Sequence, residues 1–272
     1  LAPQAPAQTV TTLPAEPLNA SGGVAVDAQG NVYVADFGIL LNLANGTTVT
    51  QITPEGVVST FATGLQGASG NAFDSQGNLF QSNIAGNWIA KIAPDGTVER
   101  FASEGVSGPV GVTVDPDDNV FVANCGANTI TKITPDGEPS LLVASPLLSC
   151  PNGLTLDPEG NLYTANFNSN SVVKVTPDGE ASLFARVAGR NNGHLTYANG
   201  RLYVVARGAH QIFEVSLDGE VTLLAGTGAR GNGDGPAGEA TFSLPNGIAA
   251  SPDGTKLYVN DAVPRSGPNL NP

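Results

Sequence analysis

Short runs of alternating apolar and polar or small residues fill this chain, and most are bounded by glycine-rich turns. The first run is Val24-Ala25-Val26, which a turn at Gly30 separates from Val32-Tyr33-Val34-Ala35. An alternation of period two over four to eight residues is typical of half-buried β-strands. No segment shows the spacing of apolar residues that a helix requires. The chain is therefore predicted to be all-β.

The same unit recurs six times along the chain. Each copy opens on a glycine, continues through two strands joined by a short turn, and adds a third and a fourth strand around a second turn. Proline presets φ at the first position of that second turn, and glycine accepts a positive φ. The second turns are Pro54-Glu55-Gly56, Pro94-Asp95-Gly96, Pro135-Asp136-Gly137, Pro177-Asp178-Gly179 and Leu217-Asp218-Gly219. The repeat glycines are Gly23, Gly70, Gly111, Gly153, Gly193 and Gly247.

Six units of four strands predict a six-bladed β-propeller whose four-stranded antiparallel blades bury both faces against their neighbours. We expect one domain over 9–272, preceded by a flexible N-terminal stub at 1–8. After Asp261 the sixth repeat has no third or fourth strand, so we expect either that its blade is incomplete or that the natural chain continues past Pro272. The segment Thr9-Val10-Thr11-Thr12-Leu13 resembles a fourth strand. We predict that this N-terminal strand closes the last blade.

Composition narrows the classes of partner. The chain carries a net charge of −13 and no basic cluster, which argues against nucleic acid and anionic membranes as partners. No apolar run reaches the roughly 18 residues of a membrane span. The opening Leu1-Ala2-Pro3-Gln4 resembles a mature N-terminus after signal removal or a trimmed start. We expect a monomer located outside the cytoplasm, either periplasmic or secreted.

The repeat resembles that of NHL-repeat propellers, and the resemblance covers nearly the whole chain. It rests on Gly-x-Ala-Val-Asp-x-x-Gly-Asn-Val-Tyr-Val-Ala-type segments and on Leu224-Ala225-Gly226-Thr227-Gly228. The chain is also similar to the wider superfamily of gluconolactonases, senescence marker protein, paraoxonases, strictosidine synthase-like proteins and virginiamycin B lyase. The resemblance implies the propeller fold. It leaves the function open, because these families include lactonases, lyases and pure interaction modules.

Two rings of residues share one end of the predicted propeller, here called the top face. They lie just before each first strand and just after each second strand. Oxygen ligands that converge on an axis suit Ca²⁺ or another hard divalent cation, and the resemblance implies that asparagine in a Pro/Ser-Asn-Gly segment binds such an ion. Asn152 and Asn246 match that segment and Asn192 nearly matches it, while Asp36 and Asp261 are the carboxylates available. The N-terminal glutamate ligand of these families has no equivalent here, and the alternative to metal binding is that the asparagines cap turns or adopt left-handed backbone.

Two further residues depart from the repeat pattern and are candidate catalytic groups. His194 follows Gly193 on a first strand where most repeats have an apolar residue, so it is either a general base or a hydrogen-bonded residue of the channel wall. Arg207 replaces the asparagine or aspartate of its ring. It would either bind a carboxylate or an oxyanion, or form a salt bridge with a neighbouring aspartate.

Cys125 and Cys150 are the only cysteines of the chain, and both map to the top face between adjacent repeats. A disulfide between them would fit an extracytoplasmic protein, and two free thiols are the alternative.

Three functions are compatible with the sequence. The first is an exported, metal-dependent hydrolase or lyase of gluconolactonase type, which would act on a lactone- or ester-like small molecule in a central top-face pocket. The second is a non-catalytic NHL-type module that binds a protein or glycan at the top face. The third is a structural role within a larger envelope protein. No Ser-His-Asp order, HExxH or CxxC motif is present.

Overall fold

The computed structural model describes residues 8–13, 18, 21–38 and 45–261. The predicted flexible stub falls mostly on residues outside this range, and so does everything after Asp261. These described residues form short antiparallel strands and one 3-10 turn at Arg207–Ala209. In the first half of the chain the strands are β1 (Thr9–Val10), β2 (Val24–Val26), β3 (Val32–Ala35), β4 (Val49–Ile52), β5 (Val58–Ala62), β6 (Ala68–Phe73), β7 (Leu79–Asn83), β8 (Trp88–Ile92), β9 (Val98–Ala102), β10 (Pro109–Val114), β11 (Val120–Asn124), β12 (Thr129–Ile133) and β13 (Pro139–Ala144).

The second half continues the same order. Its strands are β14 (Pro151–Leu156), β15 (Leu162–Asn166), β16 (Ser171–Val175), β17 (Ala181–Arg186), β18 (Leu195–Ala198), β19 (Arg201–Ala206), β20 (Gln211–Ser216), β21 (Val221–Ala225), β22 (Gly235–Pro236), β23 (Ile248–Ala250) and β24 (Leu257–Val259). Five four-stranded sheets follow chain order, namely β2 to β5, β6 to β9, β10 to β13, β14 to β17 and β18 to β21. The protein is an all-β propeller with these five blades.

The prediction of six four-stranded blades is wrong. Up to Asp261, where the described part of the chain ends, the sixth repeat forms the two-stranded sheet of β23 and β24, which lies between the fifth and the first blade. The predicted N-terminal strand does not complete it. Instead β1 pairs with β22 through Thr9 opposite Pro236 and Val10 opposite Gly235, because the loop after the fifth blade offers a free edge there.

Local chemistry explains why the repeats fold alike. The second-turn glycines have φ between +85° and +88°, a region that costs glycine little and other residues more. At the first turn of four repeats, an aspartate accepts a hydrogen bond of 2.8 Å from the backbone N–H four residues later. These aspartates are Asp27, Asp74, Asp115 and Asp157. Each one fixes the hairpin between the first and second strands.

The hydrophobic core lies between blades rather than within one of them. Tyr33 of the first blade contacts Phe73 of the second edge-to-face, with ring centroids 5.0 Å apart. Its hydroxyl donates to Asp27, which satisfies the one polar atom of a buried ring. Each blade therefore depends on its neighbour for burial, and the inner strands are held in a ring around the axis.

Candidate functional site

Three asparagines lie close together at the top end of the axis, and we call Asn152, Asn192 and Asn246 the amide cluster. Asn152 Nδ2 donates to the backbone oxygen of Asn192 at 2.8 Å, and Asn246 Nδ2 donates to that of Ser21 at 2.5 Å. Each bond joins one repeat to the next around the ring. Because the amide nitrogens of Asn152 and Asn246 are held by these carbonyls, the direction of their side-chain oxygens is fixed.

Several polar atoms in and beside this cluster are buried without a partner among the described residues. They are Asn152 Oδ1, both side-chain polar atoms of Asn192, His194 Nε2 and Arg207 Nη2. Asn192 is fully buried, and Asn152, His194 and Arg207 are nearly so. An unpaired buried polar atom costs about 1–3 kcal/mol, so a group of them in one place is a feature that calls for an explanation.

The register of the fifth repeat differs by one residue from the sequence-based alignment. Leu195 pairs with Val204, and Gly193 N–H donates to Val205 O at 2.9 Å. His194, rather than Gly193, therefore occupies the position of the repeat glycine. Asn192 consequently lies one position earlier in its repeat than Asn152 and Asn246 do in theirs.

His194 has its backbone at the top of the axis and its side chain on the wall of the cavity below. Its N–H donates to Asn246 O at 2.8 Å, which places it directly beside the amide cluster. Burial lowers the pKa of the imidazole to about 4 from 6.5, so the ring is neutral at pH 7. A neutral imidazole with a free ring nitrogen can accept a proton or a hydrogen bond.

Arg207 lies one position beyond the ring to which it was assigned, because Ala206 occupies the ring position opposite Gln211. Its guanidinium is buried, and Nη1 donates to Leu244 O at 3.4 Å. Burial lowers the pKa of Arg207 to about 10, and the neighbouring Asp261 carboxylate opposes that effect. Arg207 is therefore a buried cation at neutral pH, close to Asp261 but not among the residues that line the axial cavity.

The two candidate carboxylates have different environments. Asp261 accepts the backbone N–H groups of Ser243 and Leu244 at 2.6 and 2.7 Å, so both of its oxygens hold the loop that precedes β23. Asp36 is half-buried, and burial raises its pKa although Gly38 N–H donates to it. Its neighbours Gly38 and Gly46 belong to its own blade.

The other asparagines of the second ring cap turns. Asn83, Asn124 and Asn166 accept backbone N–H groups of the preceding loops at 2.8 to 2.9 Å. Their side-chain oxygens thus hold backbone instead of a metal ion, and the carboxylate of Asp261 does the same. Within residues 8–13, 18, 21–38 and 45–261, no group of three or more His, Cys, Asp or Glu side chains could hold a metal ion.

The expected disulfide is present and joins Cys125 to Cys150 across two adjacent blades. Cys150 has a left-handed backbone with φ of +51°, and its N–H donates to Asn128 Oδ1 at 2.7 Å. The bridge lies at the top face, in the sector that precedes Asn152. In the described part of the chain, no helix has the length and apolar character needed to cross a membrane.

Comparison with known proteins confirms the resemblance at the level of the fold. No protein-family model matches the chain, and a search of curated protein sequences also gave no match. Among solved structures, virginiamycin B lyase from Staphylococcus aureus is 19% identical, with a TM-score of 0.66 over 89% of this chain and 78% of that one. The gluconolactonase XC5397 from Xanthomonas campestris is 16% identical, with a TM-score of 0.70 over 89% and 83%.

A third similar structure comes from an interaction protein. A chain of the nidogen/laminin complex is 20% identical, with a TM-score of 0.62 over 72% of this chain and 75% of that one. At these identities the similarity establishes a shared propeller fold, and the function has to be argued from the site.

Proposed function

We propose that this chain is an exported small-molecule enzyme of the lactonase or lyase type, with its reaction centre at the amide cluster. The observation that carries the proposal is the group of buried, unpartnered polar atoms that the fourth and fifth repeats place at the top of the axis, namely Asn152 Oδ1, both side-chain polar atoms of Asn192 and His194 Nε2. Such atoms persist in a fold when a polar guest completes their hydrogen bonds or when they serve chemistry. The fold neighbours add support, because two of them are described as a gluconolactonase and a lyase.

The amide cluster fits an oxygen-preferring divalent cation such as Ca²⁺. Asn152 Oδ1 and Asn192 Oδ1 are buried and unpartnered, and the nitrogens of Asn152 and Asn246 are already bound elsewhere. The donors are neutral amides, since Asp261 is engaged with backbone N–H groups. Affinity for Ca²⁺ falls with fewer charged ligands, so we expect a Kd on the order of 10⁻⁴ to 10⁻³ M. A bound cation would supply Lewis-acid polarisation of a substrate carbonyl.

The other two candidates provide a proton acceptor and a fixed positive charge. His194 Nε2 is unpartnered and its ring is neutral at pH 7, so it can accept a hydrogen bond or a proton, and because burial lowers its pKa to about 4 it is a weaker base than an exposed histidine. Arg207 Nη2 can donate to a carboxylate or to a developing oxyanion, because its other nitrogen already anchors the side chain to Leu244. Beside the amide cluster, His194 would supply a proton acceptor and Arg207 electrostatic stabilisation, which ester hydrolysis and elimination both require.

Export is supported by the disulfide, because such bonds persist in oxidising compartments and are rare in the cytosol. Asp36 remains a candidate cation ligand that would have to reach the cluster from the first blade. The monomeric state remains a prediction.

A second candidate is a non-catalytic module that binds a protein or glycan at the top face. It is favoured by the structural use of Asn83, Asn124, Asn166 and Asp261, whose side-chain oxygens hold backbone rather than ligand. The nidogen/laminin structure shares this fold.

The deciding experiment is a hydrolysis and elimination screen. A panel of lactones and carboxylic esters is assayed with and without Ca²⁺, Mg²⁺ or Mn²⁺, using the wild type, His194→Asn and the control His210→Asn. His210 is the only other histidine, and asparagine tolerates its left-handed backbone at φ +56°. We expect kcat to fall at least 100-fold in His194→Asn and to change less than twofold in His210→Asn. Equal activity in all three proteins would refute the role of His194, and no turnover by the wild type with any ion would favour the binding module.

A further inference from the structure

A cavity of about 430 Å³ lies on the propeller axis, below the amide cluster. The inner strands β2, β6, β10, β14, β18 and β23 form its wall. At the top, neighbouring strands touch through their backbones, as in the bond of 2.7 Å from Gly23 N–H to Ser69 O. A Cβ at Gly153 would lie only 2.5 Å from His194 Cα. The glycines thus let the strands close the axis at this end.

The opposite end of the cavity is open to solvent. It is lined there by residues of the first-turn hairpins, such as the exposed Asn199 and Pro252, and we call this the lower face. Side chains directly after the repeat glycine position, such as Val24 and Leu154, are buried. Side chains two positions further along each strand, such as Val26 and Leu156, are partly exposed. A ligand would therefore enter from the lower face, away from the amide cluster.

The middle level of the wall is divided into a polar and an apolar half. Each of the six repeats contributes one residue to this level, the one that lies two positions after its repeat glycine. In the fifth repeat the count starts from His194, which occupies the glycine position. Three consecutive repeats place threonine there and the other three place alanine. They are Thr113, Thr155 and Thr196 on one side, and Ala249, Ala25 and Ala72 on the other. A ligand that matches this wall has oxygens on one side and hydrocarbon on the other.

The closed end adds two polar side chains on opposite walls. Asn71 belongs to the second repeat and His194 to the fifth, so two inner strands separate them in either direction around the ring. Both side-chain polar atoms of Asn71 and Nε2 of His194 are buried and unpartnered within the described chain. None of the described side chains that line the cavity belongs to Asp, Glu, Lys or Arg. A charged guest would lose its hydration without gaining a counter-charge.

We propose that the axial cavity binds a small uncharged molecule that carries hydroxyl or carbonyl oxygens on one side of a hydrocarbon body. The molecule enters from the lower face, places its oxygens toward the three threonines and packs its hydrocarbon against the alanines, while the Asn71 amide beside Ala72 can bind an oxygen that reaches the closed end. This site shares the His194 side chain with the proposed reaction centre, but the threonines and Asn71 that would hold the ligand have no part in that reaction, so binding here does not depend on it. The volume lies within the range of about 300–1,000 Å³ that is common for small-molecule sites.

Three probes with one skeleton test the chemistry of the cavity, namely 1-adamantanol, 1-adamantanecarboxylate and 1-adamantylammonium. Calorimetric titration of the wild type should give saturable binding of the alcohol and at least tenfold weaker binding of both ions. Thr113→Val and Thr196→Val preserve shape and remove one hydroxyl each, so each should weaken binding of the alcohol by about two- to tenfold. The matched control is Thr60→Val, which alters an exposed threonine on the outer strand β5 and should leave binding unchanged.

A blocking variant tests the location of the site. Ala72→Phe should fill the cavity and abolish binding of the alcohol, and if it does not fold, the two threonine variants still test the site. Failure of 1-adamantanol to bind at millimolar concentration would overturn the proposal. So would equal binding of the three probes, or equal affinity of Thr113→Val, Thr196→Val and Thr60→Val. Because binding is measured directly, an absence of lactone or ester turnover would not affect this result.

Discussion

Burial of His194 makes the stability of the propeller depend on pH in a predictable way. The imidazole pKa is lowered by desolvation to about 4 in the folded protein, against 6.5 in the unfolded chain. Between these values the unfolded chain binds a proton that the folded protein does not, so falling pH favours unfolding. The contribution of His194 is fully present above about pH 6.5 and is lost as the pH falls through 4. A difference of 2.5 pKa units corresponds to about 3 kcal/mol.

This effect can be separated from that of the carboxylates by comparing variants. The free energy of unfolding is measured by chemical denaturation from pH 3.5 to 8, using the fluorescence of Trp88, the only tryptophan of the chain and a buried one. His194→Asn removes the titrating group, and His210→Asn serves as the control. We expect the free energy of unfolding of the wild type to fall by about 3 kcal/mol more than that of His194→Asn when the pH is lowered from 7 to 4. Parallel curves for these two proteins would refute the assignment of a buried neutral imidazole.

Two further predictions concern the framework of the site. Gly153→Ala should lower the free energy of unfolding by about 1–3 kcal/mol, because the new Cβ would meet His194 Cα at 2.5 Å. The control is Gly238→Ala, whose new Cβ would meet no atom within 4 Å and should leave the Tm unchanged. If both variants unfold at the same temperature as the wild type, close approach of the inner strands is not what requires glycine. Replacing both Cys125 and Cys150 by serine should cost about 3 kcal/mol, since the bridge closes a loop with a sequence separation of 25. An unchanged denaturation midpoint in the double variant would contradict a stabilising bridge.

The five blades could be predicted from sequence because their determinants are local. Turn glycines such as Gly96 have the positive φ that the Pro-Asp-Gly pattern indicates, and Asp74 binds the backbone of its own hairpin as the repeat requires. The predicted closure of a sixth blade was wrong because the pairing of distant strands is not determined by the local pattern. The N-terminal strand binds instead to the loop after the fifth blade, where Thr12 donates to Asp234 through its backbone N–H and its hydroxyl.

The candidate site was predicted less completely for a similar reason. An alignment on glycines assigned Gly193 to the repeat position, and only the pairing of Leu195 with Val204 shows that His194 occupies it. The same shift concealed Thr196 as a member of the threonine half of the cavity. Once His194 is aligned with Gly111 and Gly153, Thr196 falls at the same repeat position as Thr113 and Thr155. The engagement of Asp261 with Ser243 and Leu244 is a tertiary contact that no spacing indicates.

The central claim is that the amide cluster binds a divalent cation, and thermal unfolding after chelation tests it most directly. The wild type and Asn152→Leu, a substitution of similar shape, are compared without metal and in 10 mM Ca²⁺ or Mg²⁺. If Kd is near 10⁻⁴ M, saturation a hundredfold above it adds roughly 2.7 kcal/mol to the stability of the wild type. We predict an ion-selective rise in Tm for the wild type that Asn152→Leu lacks. An unchanged Tm with every ion, or an equal rise in both proteins, would contradict the claim.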